Sequence, residues 1–253
     1  MLAHPTLLKL EQMRLSGMAA ALRDQFDMPD IEAMPFLDRL GLMVDHEEAV
    51  RGDRRLARRL HTAQLRIPAS MAHLDYSASR GLDKRVMLHL ASCQWIRRRQ
   101  NVIITGPTGV GKSYVACALA HKACLENFNV RYTRLSRLLE SLQLAREDGT
   151  YLKVMKQLSR MDVLILDDWG LHPIHPIQQR DLMELLDDRY TVRSTIVTSQ
   201  YPMDKWYEIM EDPTLADAIL DRIVNNAHKI ELTGESMRKV QGQRELANET
   251  AQP

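Results

Sequence analysis

Apolar positions along this chain keep two different periods, and the change between them divides it. Up to about residue 68 they recur at helical spacing. Leu7, Leu10 and Met13 fall near one face of a helix over residues 6–15, and Ser16 then stands as an N-cap before Gly17 to Leu22. Asp27-Met28-Pro29-Asp30 breaks the pattern, and Pro35 can open the next helix at its first position. That helix reads from Phe36 to about Arg66, with soft spots at Gly41 and Gly52, and Pro68 ends it. Residues 82–95 read as one more helix. After Gln100, short apolar runs alternate with helical stretches. Residues 101–105, 130–133, 162–168, 195–198 and 228–232 read as strands; residues 114–127, 137–144 (capped by Ser136), 151–160, 177–190 and 213–226 read as helices. This alternation predicts an α/β fold, a parallel sheet flanked by helices, behind a small all-helical domain. The expected domains are 1–68 and 69–253.

Composition narrows the class. Apolar and charged fractions are those of a globular protein, and the formal net charge is +1, so affinity for nucleic acid has to come from a local patch. One such patch is legible. Arg51, Arg54, Arg55, Arg58 and Arg59 recur at i, i+3, i+4, i+7 and i+8, which puts them on one helical face, with Leu56, Leu60, Ala63 and Ile67 on another. Guanidinium groups spaced along a rod can neutralise successive phosphates without reading sequence. The alternative is a solvated face, with Glu47 and Glu48 in reach of Arg51. Cys93, Cys117 and Cys124 form no C-x-x-C pair and suit a reducing compartment. Lys9, Glu11 and Arg14 interrupt the first apolar run, and no run approaches a membrane span. A cytoplasmic protein with no membrane partner is expected.

The chemistry concentrates after the first strand. Gly106-Pro107-Thr108-Gly109-Val110-Gly111-Lys112-Ser113 fits G-x-x-x-x-G-K-[ST] in full, between an expected strand and a helix that opens at Tyr114. Such a loop turns successive N–H groups into one concavity for phosphate oxygens, and its glycines adopt dihedrals that a Cβ would block. Lys112 can reach the β- and γ-phosphates of ATP, and Ser113 can hold Mg²⁺. The strand that ends in Asp167-Asp168 fits a Walker B element: Asp167 as the metal-side carboxylate, Asp168 as the group that orients or deprotonates the attacking water. Ser199, with Thr198 and Gln200 beside it, ends a strand near that element and is read either as a contact to the γ-phosphate or as a strand cap. Arg222 has Ala218, Ile219, Asn225 and Asn226 at its helical pairing positions and no carboxylate among them. It is read either as a surface arginine or as a finger to a neighbouring subunit's γ-phosphate. Arg238 is a candidate second sensor toward nucleotide in the same chain. His172 and His175 lack companions at ligand spacing, so no zinc site is expected.

These residues resemble a family. The loop 106–113, Asp167-Asp168, Thr198-Ser199-Gln200-Tyr201-Pro202 and Ala218-Ile219-Leu220-Asp221-Arg222 are similar to AAA+ P-loop ATPases of the DnaC/IstB branch. The leucine pattern of residues 7–22 and the lead-in 82–95 resemble the IstB transposition helpers in particular. The resemblance implies a P-loop NTPase that binds duplex DNA without strong sequence preference and forms homo-oligomers through ATP sites shared between subunits. It also implies assistance to a cognate transposase, with Arg222 as the trans finger and Arg238 as the second sensor. Two departures stand out: Asp168 occupies a place where many AAA+ proteins have Glu, and few residues follow the last expected strand, so little or no C-terminal lid is expected. The same core would suit a replicative helicase loader of the DnaC type, or a nucleotide-dependent switch without significant turnover.

Overall fold

The computed structural model describes residues 4–76, 80–237 and 239. Its helices are α1 (Pro5–Gln12), α2 (Ser16–Asp27), α3 (Phe36–Ala63), α4 (Lys84–Ala91), α5 (Gln94–Arg97), α6 (Lys112–Leu125), α7 (Leu135–Glu147), α8 (Tyr151–Ser159), α9 (Pro176–Arg189) and α10 (Pro213–Val224). Its strands are β1 (Asn101–Thr105), β2 (Val130–Arg134), β3 (Val163–Trp169), β4 (Ser194–Ser199) and β5 (Ala227–Glu231). The chain falls into two compact units that divide between Arg58 and Arg59, ahead of the boundary expected at Pro68. The residues that close α3 belong with the second unit for a local reason. Ala63 is fully buried, Arg131 Nη1 donates to the Thr62 carbonyl at 3.2 Å, and Gln64 turns the chain at φ 49°.

In the first unit, Gly41 and Gly52 do not interrupt α3. Ser16 does not cap α2: it is the first helical residue, and its buried hydroxyl has no hydrogen-bond partner among the described residues. The open N–H groups of the first turn go to a tertiary acceptor instead. Glu47 Oε2 on α3 accepts from Gly17 N at 2.7 Å and Met18 N at 3.1 Å, an anion at the positive end of a helix. Arg51 Nε holds the same carboxylate at 2.7 Å. Burial pushes the Glu47 carboxyl up, but these hydrogen bonds outweigh it and leave it below its ordinary range. The two backbones meet closely at this point: a Cβ on Gly17 would stand 2.6 Å from the Cα of Glu47.

The second unit is a five-stranded parallel sheet in the order β2-β3-β4-β1-β5. Ile103, Leu164, Leu166 and Val197 enter a core with Leu138 and Leu142 of α7, Leu158 of α8, Leu182 and Leu185 of α9, and Ile219 and Ile223 of α10. Val102, Ile104, Ile165 and Ile196 alternate to the other face. There α6, buried from Val115 through Ala120, packs across β1 to β4. A helix apolar on nearly every side is what a position between sheet and outer helices requires. The lead-in expected as one helix is two, because Cys93 adopts φ 56° between α4 and α5. Asp212 caps α10 as the sequence suggests, accepting from Thr214 N and Leu215 N. Among the described residues no helix is long and apolar enough to cross a membrane.

Gly17→Ala should destabilise the first unit by about 1–3 kcal/mol through overpacking. Gly41→Ala, where a Cβ would meet nothing within 4 Å, should stabilise it by about 0.5–1 kcal/mol. Urea unfolding followed by helical circular dichroism checks both signs.

Candidate nucleotide site

The sheet order brings the chemistry to one edge. β4 lies between β1 and β3, with Thr105 opposite Ser199 on one side and Trp169 opposite Ser199 on the other. The loop after β1, the end of β3 and the end of β4 therefore share the C-terminal edge of a parallel sheet, the ordinary place for a ligand crevice. β3 carries an irregularity here. Leu166 pairs with Val197 and Trp169 with Ser199, so β3 spends one more residue than its neighbour. The extra residue is accommodated at Asp168, whose φ is 63° and whose N–H donates to Thr198 Oγ1 at 3.2 Å. Consecutive residues of a regular strand point to opposite faces. The bulge instead sets Asp168 in the cavity wall beside the fully buried Asp167, both facing Arg66.

The loop forms the expected cradle. Gly111 sits at φ 99°, and a Cβ there would come 2.7 Å from Nη1 of Arg80, which is buried and donates to the Val110 carbonyl at 3.1 Å. Lys112 is buried; its Nζ donates to the carbonyls of Gly106 and Pro107, both at 2.8 Å. Burial lowers the Lys112 pKa, against the opposing pull of Asp168 and Asp167. Ser113 Oγ donates to both Asp167 oxygens, at 2.8 and 3.0 Å. The cavity beside the loop measures about 610 Å³ and is lined by Lys112, Ser113, Tyr114, Asp168, Thr108 and Gly109, among others. That is ample for a nucleotide. The hydroxyl and carboxylate oxygens of Ser113 and Asp167 are hard donors of the type Mg²⁺ takes, so the residues fit that ion.

Asp167 is fully buried and is satisfied from several elements at once. Besides Ser113, it accepts from Tyr132 Oη on β2 at 2.5 Å and from Thr198 Oγ1 on β4. Arg66 Nη1 approaches it at 3.5 Å and Asp168 at 3.7 Å, and Arg134 Nε reaches Asp168 at 3.5 Å. Burial and the neighbouring Asp167 charge raise the Asp168 pKa, only partly offset by Arg66, Arg134 and Lys112. Burial and the hydrogen bond to Asp167 push the Tyr132 phenol up. Tyr132, Arg66 and Arg134 are invisible as site residues in the sequence. They come from other elements, and none lies in a motif.

Two candidates are engaged within the fold, and a third falls outside the described residues. Ser199 is buried, and its hydroxyl donates to the Trp169 carbonyl at 2.8 Å and accepts from Tyr201 N at 3.1 Å. Its geometry is that of a strand cap; Thr198 touches Asp167, and Gln200 lines the cavity and accepts from Thr108 Oγ1 at 2.9 Å. Arg222 is not without a partner: Asp187 of α9 receives its Nε at 2.8 Å and the Ala218 carbonyl its Nη1 at 3.0 Å. The pairing is between helices, so helical spacing could not reveal it. Arg238 lies outside the described residues. Of the arginine stripe, Arg51 is paired with Glu47; Arg54, Arg55 and Arg58 are exposed, with no ion pair among the described residues; Arg59 is half-buried. His172 and His175 join no group suited to a metal among the described residues.

Comparison with known proteins gives the family and the fold. The IstB-like ATP binding protein family of IS21 elements matches residues 8–245. An insertion sequence ATP-binding protein of Sinorhizobium fredii, y4pL, is 48% identical over 241 residues, covering 95% of this chain and 98% of its own. The IS21 ATP-binding protein of Pseudomonas aeruginosa is 32% identical over 235 residues, covering 93% and 89%. Among solved structures, DnaI matches with TM-score 0.56 at 23% identity, over 66% of this chain and 92% of its own. AMPPCP-bound DnaA from Aquifex aeolicus matches with TM-score 0.57 at 17% identity, over 72% and 55%. These likenesses establish the AAA+ P-loop fold.

Two substitutions test the acid pair without nucleotide. Tyr132→Phe should cost about 1–3 kcal/mol of stability, because a buried carboxylate loses a donor. Asp168→Asn should be more stable than wild type at neutral pH, since a folded-state pKa above the ordinary 3.8 makes the ionised carboxyl unfavourable to the fold. Protonation removes that penalty, so the advantage should shrink as pH falls through the raised pKa and vanish below 3.8. Denaturant melts across that range check it.

Proposed function

The chain belongs to the IstB-like ATP-binding protein family, and on that premise we propose that it hydrolyses ATP to control its assembly on duplex DNA during transposition. The observation that carries the hydrolytic reading is the bulge at Asp168, which turns a second carboxylate toward the cavity beside the buried Asp167. A protein that only stores nucleotide has no need of that second acid. In this mechanism the loop N–H groups and Lys112 bind the triphosphate and offset charge on its terminal oxygens. Ser113 and Asp167 would hold Mg²⁺, which would supply further neutralisation of the phosphate oxygens. Asp168 orients the attacking water and accepts its proton; its raised pKa makes it a better base than an ordinary aspartate. Thr198 fixes both acids, through its hydroxyl to Asp167 and its acceptance of the Asp168 N–H.

Arg222 acts in this proposal at the site of a neighbouring subunit of a homo-oligomer. Asp187 holds it at 2.8 Å and must release it on assembly. The exposed arginines Arg54, Arg55 and Arg58, with Arg51 and Arg59, contact the phosphate backbone of duplex DNA. The named relatives support the insertion-sequence role and a cognate transposase as partner over the helicase-loader reading.

ATP turnover and sizing profiles, with and without duplex DNA, test the proposal. Asp168→Ala should abolish turnover while nucleotide still binds. Arg222→Ala should lower it by about 10³-fold or more in the assembled state. Turnover and assembly that ignore DNA in the wild type would refute it. Replacing Arg55, Arg58 and Arg59 by glutamine should weaken DNA binding equally across sequences and reduce the slope of log affinity against log salt by about three. An unchanged slope returns the stripe to a solvated face.

A further inference from the structure

Arg66 lines the nucleotide cavity but takes no part in the chemistry above. It lies just past the end of α3, on the segment between Ala63 and Pro68. The left-handed turn at Gln64 and the Arg131 contact to Thr62 fix the start of that segment. Its guanidinium faces both acids, 3.5 Å from Asp167 Oδ2 and 3.7 Å from Asp168 Oδ2. Asp167 has no exposure to water, whereas a third of the Arg66 side chain is exposed. A buried carboxylate needs compensation, and here the hydroxyls of Ser113, Tyr132 and Thr198 supply hydrogen bonds but no charge. Lys112 donates to backbone carbonyls, and Arg134 pairs with Asp168 alone. Arg66 is therefore the cation in direct contact with Asp167, while Lys112 acts on it without an ion pair.

Mg²⁺ held by Ser113 and Asp167 brings two further positive charges to the same buried oxygens, and like charges at that range repel strongly where water is excluded. We propose that Arg66 is an internal counter-cation which the metal must displace, so that Arg66 sets the Mg²⁺ concentration at which this site loads nucleotide. One nitrogen, Nη1, faces both carboxylates, and a guanidinium, being more weakly hydrated than an ammonium, regains less hydration on leaving, so its displacement raises the Mg²⁺ requirement. The inference rests on reading the cavity as a Mg²⁺–nucleotide site.

The test uses the full chain, stripped with EDTA, as wild type, Arg66→Gln, Arg66→Lys and Arg134→Gln. Thermal unfolding is followed as Mg²⁺ alone is added; then Mg²⁺ is titrated at fixed fluorescent ADP, with anisotropy as readout. Arg66→Gln should melt below wild type in EDTA, gain more from Mg²⁺, and reach half-saturation at about five- to tenfold lower Mg²⁺, the size of one partly exposed charged contact. Arg66→Lys, which keeps the charge on a more strongly hydrated group that leaves at lower cost, should shift in the same direction by less, and it carries the test if Arg66→Gln fails to fold. Arg134→Gln removes the same charge without touching Asp167 and should also shift less. An equal or higher Mg²⁺ requirement in the Arg66 variants overturns the proposal, as does an equal shift in Arg134→Gln, which would make the effect one of general charge. Wild type that binds no nucleotide at any Mg²⁺ concentration refutes the nucleotide reading itself. Wild type that binds, with Arg66 variants unshifted, refutes this inference alone.

Discussion

A buried carboxylate that must be satisfied on every side constrains this site more than any other group. Asp167 draws Ser113 from the start of α6, Tyr132 from β2, Thr198 from β4 and Arg66 from the segment after α3. Each donor arrives from a different element, so the ion cannot be satisfied unless the strand order is right. Leaving one donor out costs the desolvation of a charged group, which exceeds the gain from an average hydrogen bond. The acid assigned to the metal in the proposed mechanism thereby also ties the edge of the sheet together. Its neighbour Asp168 is reached through a left-handed backbone position, strain of a kind that persists where the surroundings over-determine it.

The same economy extends to the cations. Lys112 is held by its own loop, Arg66 by the acids, Arg134 by Asp168 and Arg222 by Asp187. None of these charges waits in free solution. In the proposed mechanism, binding of nucleotide, metal or a neighbouring subunit is an exchange of partners, in which the incoming group replaces contacts already made. Such exchanges give modest net affinities that respond steeply to the removal of one competitor.

The phosphate loop and the acid pair were legible in the sequence because each is a contiguous run whose neighbours show a clear period. The parallel sheet followed from the alternation of strands and helices. What escaped is tertiary. Ser16 has the composition of a cap, yet Glu47 from α3 does the capping, because α2 and α3 meet across Gly17. Ser199 and Thr198 are adjacent hydroxyls at a strand end, and only the pleat decides that Thr198 faces Asp167 while Ser199 turns to the Trp169 carbonyl. Arg222 looked unpaired along its own helix and is paired across to α9. Arg66 follows Arg59 at helical spacing, but α3 ends at Ala63 and Gln64 redirects the chain, so the residue belongs to the nucleotide cavity and not to the stripe.

The proposed reading makes Asp167 a metal-side carboxylate, with Arg66 as the cation now in contact with it. Anomalous scattering from a crystal grown with Mn²⁺ and a non-hydrolysable ATP analogue tests it most directly. The metal peak is expected between Ser113 Oγ and the Asp167 carboxylate, with the Arg66 guanidinium moved beyond about 4 Å, the limit of an ion pair. A nucleotide seated on the loop with Arg66 still paired to Asp167, or with the metal held elsewhere, would contradict it.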